Sequence, residues 1–165
     1  MPMLDVYIPE GALRPDAERA LLTRLTDILM IAEGFEPTNA AMRAVSWVFL
    51  HRPATTFVAG SPATAPRYKV VATVPEGQLD DLSRAEVVAA VTEAVLDAEE
   101  GKRPRDKGRV WVFPTEIPDG RWGGNGRITR LADIMTRATG DAEEGRNIAE
   151  KRIAASRAER ARIPD

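Results

Sequence analysis

The chain opens on an alternation of apolar and polar positions. Leu4, Val6 and Ile8 are separated by Asp5 and Tyr7, a period of two that predicts a half-buried strand. Pro9-Glu10-Gly11 breaks the run. From Pro15 onward the period changes. Ala17, Leu21, Leu25, Ile28 and Leu29 recur at helical spacing and predict one apolar face. Pro15 suits the first helical turn, where its missing N–H costs nothing, and Asp16 and Glu18 complement the helix N-terminus. Gly34 is expected to end the helix. A second strand is predicted over Arg43–Phe49.

The same pattern then returns 66 residues later. Pro9-Glu10-Gly11-Ala12-Leu13 recurs as Pro75-Glu76-Gly77-Gln78-Leu79, behind the alternating run Val70, Ala72, Val74. Ser83 and Glu86 have the spacing of a capping box, and Val87, Val88, Val91 and Val95 supply the helical face. Arg109–Phe113 repeats the second strand. Each unit is strand–helix–strand, and its two strands should run parallel through a right-handed crossover. The predicted class is α+β: tandem β-α-β units forming a four-stranded mixed sheet with two helices on one face, plus β-hairpins and a C-terminal helical tail. The organisation read from the chain is a first repeat and linker over 2–66 and a second repeat with a Gly-rich hairpin over 67–134. A charged tail over 135–165 follows, and the two repeats share one domain. Ala54–Pro66 reads as a loop between the repeats and Glu99–Lys107 as a charged surface loop. The tail has a thin apolar face (Ile148, Ile153, Ala154) and is expected as a helix packed on a neighbour or partly frayed. Helices cover one sheet face only, so Trp47, Phe49, Trp111 and Phe113 predict an oligomer.

Composition narrows the chemistry. There is no cysteine, which removes disulfides, thiolate metal sites and a cysteine nucleophile. One histidine, His51, cannot build a histidine metal cluster, so no metal is expected. The net charge of -2 does not suggest a nucleic-acid binder. No apolar run is long enough to span a membrane and no secretory signal is evident, so a cytoplasmic location is the expectation.

Three segments carry a family resemblance. Pro2–Gly11 resembles the opening strand and Glu-Gly turn of the tautomerase superfamily. Thr115–Gly126 resembles its Gly-rich hairpin, with Trp122 in the place of an aromatic residue flanked by glycines. Arg52-Pro53-Ala54 with Phe57-Val58-Ala59-Gly60 is similar to the inter-repeat segment of the fused branch. The chain thus resembles the two-repeat form typified by cis-3-chloroacrylic acid dehalogenase, built on the 4-oxalocrotonate tautomerase unit, over about residues 2–134. The resemblance implies a trimer of fused chains, a small-molecule substrate, no cofactor, and catalysis by an N-terminal proline. That proline is Pro2, once Met1 is removed.

The chemistry suits the residue. An α-amino group titrates at about 7.7–8.0, and an apolar pocket or a nearby arginine lowers that further. Such a base moves protons between carbon and oxygen near neutral pH. Other positions depart from the family pattern. Its carboxylate-binding arginines fall on Ala12, Pro75, Gln78 and, in the second strands, Val45 or Trp111, and its first-helix histidine falls on Leu29. Arg121, Arg127, Arg43 and Arg109 are the candidate replacements, with Arg14 and Arg130 nearby in sequence. Trp122 and Phe113 are candidate cavity walls, with Trp111 and Phe113 assigned opposite directions. Glu116, Asp119 and His51 are the remaining acid–base candidates. The expected activity is keto–enol tautomerisation of a 2-oxo acid or related carbonyl compound. The alternatives are a hydratase, dehalogenase or decarboxylase with Pro2 as acid, or a non-catalytic oligomer.

Overall fold

A computed structural model describes residues 2–162. The first repeat comprises β1 (Met3–Tyr7), α1 (Pro15–Ala32), the short α2 (Ala40–Arg43) and β2 (Trp47–His51). A small hairpin of β3 (Phe57–Val58) and β4 (Ser61–Pro62) leads to the second repeat: β5 (Tyr68–Pro75), α3 (Asp81–Ala98) and β6 (Val110–Ile117). A hairpin of β7 (Trp122–Gly124) and β8 (Arg127–Thr129) follows, then α4 (Leu131–Thr139) and α5 (Ala142–Arg160). Met1 and residues 163–165 of the tail lie outside the described residues.

The sheet order is β2-β1-β5-β6. β1 runs parallel to β2 and β5 parallel to β6, as strand–helix–strand crossovers require. The two repeats meet at β1 and β5, which are antiparallel, with Val6 opposite Val70 and Leu4 opposite Ala72. The sheet is therefore mixed. Alternation sends Leu4, Val6, Ile8, Val70, Ala72 and Val74 to the helical side. There they form one buried core with Leu21, Leu25 and Leu29 of α1 and Val87, Val91 and Val95 of α3. Each such aliphatic side chain contributes about 1.5–3 kcal/mol through burial. On the other face Trp47 (62% exposed) and Trp111 (67% exposed) stand beside Phe49 and Phe113.

Several boundaries differ from the sequence reading. The α3 cap is Asp80, not Ser83: Asp80 Oδ1 accepts from Ser83 N at 2.8 Å, and Ser83 Oγ accepts from Asp80 N at 2.8 Å. Asp80 presents a short acceptor one turn earlier, so the helix begins there. Val88 consequently faces solvent while Val87, Val91 and Val95 are buried. Arg43 ends a helical turn and Arg109 a 3-10 turn, so the second strands begin at Trp47 and Val110. The inter-repeat connector contains a hairpin, turned at Ala59 and Gly60, which both have positive φ.

The tail packs on its own chain. Met30, Phe35 and Met42 form a second apolar cluster with Leu131, Ile134, Met135 and Ala149. Polar contacts fix the rest of α5. Arg152 donates to the Glu33 carbonyl (3.0 Å) and to Gln78 Oε1 (2.6 Å), while Arg157 and Arg160 pair with the buried Glu76. α4 spans Leu131–Thr139 and packs closely against α5. No helix among the described residues is long and apolar enough to cross a membrane.

Candidate active site

A cleft of about 970 Å³ opens where the N-terminal end of β1 meets the β7–β8 hairpin. Pro2 and Met3 line it from β1, Thr73 from β5, Trp47 and Phe49 from β2, and Ile117 from the end of β6. Pro2 is buried, and its carbonyl accepts from Trp47 N at 3.1 Å. The parallel β1–β2 pairing thus fixes the backbone at Pro2.

The hairpin supplies the next wall. Trp122 pairs with Thr129 and Gly124 with Arg127. The turn between them is Asn125-Gly126, both with positive φ (53° and 70°), the two-residue turn whose twist matches a β-ribbon. Arg121, Trp122 and Arg127 all line the cleft. α4 and α5 close the far side with Asp133, Ile134, Thr136, Arg137 and Arg146. Among the described residues, Arg121, Arg127, Arg137 and Arg146 form no ion pair and no side-chain hydrogen bond. The acid in this lining, Asp133, accepts from the backbone N–H of Arg130 at 2.8 Å. Cationic walls above partly apolar strands favour an anionic ligand with an apolar body.

The other candidates lie elsewhere. Arg109 (4% exposed) forks onto Glu99 (2% exposed) at 2.6 and 2.5 Å, and Tyr68 Oη donates to the same carboxylate at 2.8 Å. The Arg109 bonds hold the Glu99 carboxyl below its ordinary value, against the opposing effect of burial. Burial, reinforced by Glu99, pushes the Tyr68 hydroxyl up. Arg109 is thus committed to the core and does not reach the cleft. Arg43 donates to Asp27 Oδ1 (2.6 Å) and the Pro37 carbonyl (3.0 Å), also away from it. Phe113 lies on the open sheet face and is not a cleft residue. Trp111 and Phe113 are two residues apart on one strand, so they share that face and touch edge to face, with ring centroids 6.2 Å apart.

The acid–base candidates are also structural. Glu116 accepts from Gly77 N (3.1 Å) and Ser156 Oγ (3.4 Å). Asp119 accepts from Leu131 N (2.9 Å) and Arg130 (2.8 Å), which anchors the start of α4. His51 Nε2 lies 2.6 Å from Asp5 Oδ1, and its ring stacks on Tyr7. Among the described residues no cluster of three or more His, Asp or Glu could hold a metal ion.

No family model matches the sequence, and no curated protein matches it significantly. Solved structures do match the fold. N1, a member of the cis-3-chloroacrylic acid dehalogenase (cis-CaaD) family, aligns with a TM-score of 0.66 at 17% identity, covering 91% of this chain and 97% of that one. Q0, a fused 4-OT solved as a symmetric trimer, aligns at 0.63 and 23% identity over 84% and 99% of the two chains. Pt0534, solved after inactivation by 2-oxo-3-pentynoate, aligns at 0.62 and 22% identity over 77% and 94%.

The chain has the tautomerase-superfamily fold in its fused form. Within this tautomerase fold, the missing family arginines have a local explanation. Ala12 and Gln78 are buried, and Gln78 is held by Arg152 of α5, so a cation at either position would meet packed structure. The arginines that line the cleft stand on the hairpin and on α4 and α5. Arg137 and Arg146 lie in 135–165, which the hydrophobic pattern separates from the two repeats. The Gly140-Asp141 break between two helical runs was the available signal: Gly140 is left-handed and Asp141 caps α5.

Proposed function

We propose that this chain is a cofactor-free tautomerase. The secondary amine of Pro2, freed by removal of Met1, carries a proton between oxygen and carbon of the enol and keto forms of a 2-oxo acid or related carbonyl compound. The observation that carries the reading is the position of Pro2, buried in the wall of the cleft that also holds Arg121 and Arg127. Guanidinium groups around an amine disfavour its ammonium form, which favours the neutral amine that a proton shuttle starts from.

The steps balance without a cofactor. The Pro2 amine takes the enol hydroxyl proton, and the resulting ammonium returns a proton to carbon as the carbonyl forms. Arg121 and Arg127 hold the substrate carboxylate and stabilise the oxyanion that develops between the two transfers. Trp122 forms the flat wall against the carbon skeleton. A hydratase, dehalogenase or decarboxylase mode needs Pro2 as acid and a carboxylate to position water. Glu116 is spent on Gly77 and Ser156, and Asp133 already accepts from Arg130. The tautomerase reading is therefore favoured.

Assembly as a homotrimer belongs to the same proposal. Trp47, Phe49, Trp111 and Phe113 on one open sheet face form an apolar surface of the kind that subunits cover. The fused 4-OT proteins Q0 and F6 were solved as trimers.

The kinetic test is Pro2→Ala against the enol of phenylpyruvate. A primary amine on a flexible residue replaces a ring-fixed secondary one, and the rate is expected to fall about 10²-fold or more. An unchanged rate in a folded variant removes Pro2 from the mechanism.

A further inference from the structure

The Pro-Glu-Gly turn occurs twice, and its two copies serve differently. Glu10 of the first copy is exposed, whereas Glu76 of the second is buried. The sheet decides which copy borders the cleft. β5 runs antiparallel to β1 with Met3 opposite Thr73, so the turn that ends β5 lies beside the Pro2 end of β1. The turn that ends β1 lies at the other end of the sheet.

Glu76 joins three segments there. Its backbone N–H donates to the Ile117 carbonyl at 2.8 Å, where β6 ends on the cleft wall. Its carboxylate accepts from the Asp119 N–H at 2.8 Å, at the entry to the β7–β8 hairpin. The same carboxylate accepts from Arg157 Nε at 3.1 Å and from Arg160, both on α5. α5 sits directly on the turn: Gly77 has a φ of 85°, and a Cβ there would lie 3.0 Å from the Arg152 carbonyl carbon. Burial opposes the Glu76 carboxylate, but the bonds from Arg157 and the Asp119 N–H, with the charges of Arg157 and Arg160, leave its carboxyl below the ordinary value.

The hairpin depends on such an anchor. β7 and β8 form a two-stranded sheet of their own, not paired with the four-stranded one. An isolated hairpin of that size is marginally stable. Asp119 ties its two ends together, because the Asp119 carboxylate accepts from Leu131 N (2.9 Å) and Arg130 (2.8 Å) at the exit. Both ends therefore meet at Asp119, and Asp119 is held by Glu76.

We propose that Glu76 is a positioning residue of the site. Held by α5, it fixes the hairpin so that Arg121, Trp122 and Arg127 stand as a wall of the cleft that Pro2 lines. The consequence for turnover rests on the tautomerase reading; the anchoring does not. Glu76→Gln keeps the size of the side chain but leaves one acceptor oxygen in place of two. It cannot serve the Asp119 N–H and both arginines together.

The experiment compares the parent chain with Glu76→Gln. Glu99→Gln is the control, a buried group of the same repeat whose partners are Tyr68 and Arg109 rather than the hairpin. Backbone amide exchange over 118–131 and kinetics with the enol of phenylpyruvate are both measured. In Glu76→Gln, exchange over 118–131 is expected to quicken about tenfold or more, while β1 and α1 exchange as in the parent. KM should rise about fivefold or more and kcat fall by less, because a displaced wall weakens binding. Mere loss of folded protein lowers kcat at unchanged KM. Glu99→Gln should keep both the 118–131 exchange and KM within about twofold of the parent. If Glu76→Gln does not fold, Arg157→Gln removes one donor and should move both quantities in the same direction. Unchanged exchange or unchanged KM in the folded variant overturns the proposal. A parent chain without turnover rejects the tautomerase reading instead, and calorimetric titration with phenylpyruvate then decides this one. An affinity lowered about fivefold or more in the variant upholds it. Equal affinity, or no binding by the parent, overturns it.

Discussion

At the scale of single residues, the repeat places equivalent groups in different service. Pro2 and Tyr68 are 66 positions apart, as are Glu33 and Glu99, and Arg43 and Arg109. In the second repeat, Tyr68, Glu99 and Arg109 close on one another in the core. In the first, Arg43 turns to Asp27, Pro2 lines the cleft, and burial pushes the Glu33 carboxyl up. The second-repeat pair predicts a specific stability effect. Glu99→Gln leaves the Arg109 charge buried without its counterion, which costs about 3–5 kcal/mol at neutral pH. The bonds from Arg109 depress the Glu99 carboxyl in the folded state, so its contribution is present above the ordinary value of 4.5 and is lost as pH falls through the lower folded value. Urea unfolding at pH 7 and again well below 4.5 should therefore show a gap between parent and variant that narrows on acidification. A gap that does not change with pH would mean that the pair carries no linked proton.

At the scale of elements, the amount legible in the sequence followed the strength of the local signal. The β1 and α1 patterns were unambiguous, because alternation over Leu4–Ile8 and helical spacing over Ala17–Leu29 have only one burial solution each. Capping was harder to read. Ser83-Glu86 and Asp80-Ser83 both satisfy the spacing rule, and the competition goes to Asp80 because it starts the helix one turn earlier. The repeat alone places Arg43 and Arg109 in the second strands. The turns that precede Trp47 and Val110 are set by side-chain caps, Asn39 and Asp106, that hydrophobic patterning does not detect. The resemblance implies a Gly-rich hairpin over Thr115–Gly126; the hairpin spans Trp122–Thr129 instead, turned at Asn125-Gly126, and Thr115–Ile117 continue β6. The contribution of α4 and α5 to the cleft was not legible, since a polar helix shows which face it buries only once its neighbours are known. Pro2 lines one cleft with Arg121, Trp122 and Arg127 although they are distant in sequence, an arrangement that no local rule supplies.

At the scale of the whole molecule, helices cover one face of the sheet and leave Trp47, Phe49, Trp111 and Phe113 exposed on the other. Solvent is a poor neighbour for four such rings, and the homotrimer proposal follows. Light scattering on the purified chain should report three times the 18.0 kDa chain mass, with no monomer at micromolar concentration. A stable monomer would contradict the proposed assembly and would require another partner for this face. Trp47 and Phe49 belong both to this face and to the cleft lining, so a subunit that covers the face borders the site, while Pro2, Arg121 and Arg127 come from one chain.

The central claim is that Pro2 presents a free, unprotonated amine in this cleft. The most direct measurement is an intact-mass spectrum of the purified chain before and after incubation with 2-oxo-3-pentynoate, an acetylenic ketone that accepts a nucleophilic amine. The expected result is a chain lacking Met1 that gains one equivalent of reagent, mapped by peptide digestion to Pro2 and slowed by a competing 2-oxo acid. A chain that retains Met1, or one that lacks it and stays unmodified, would contradict the account.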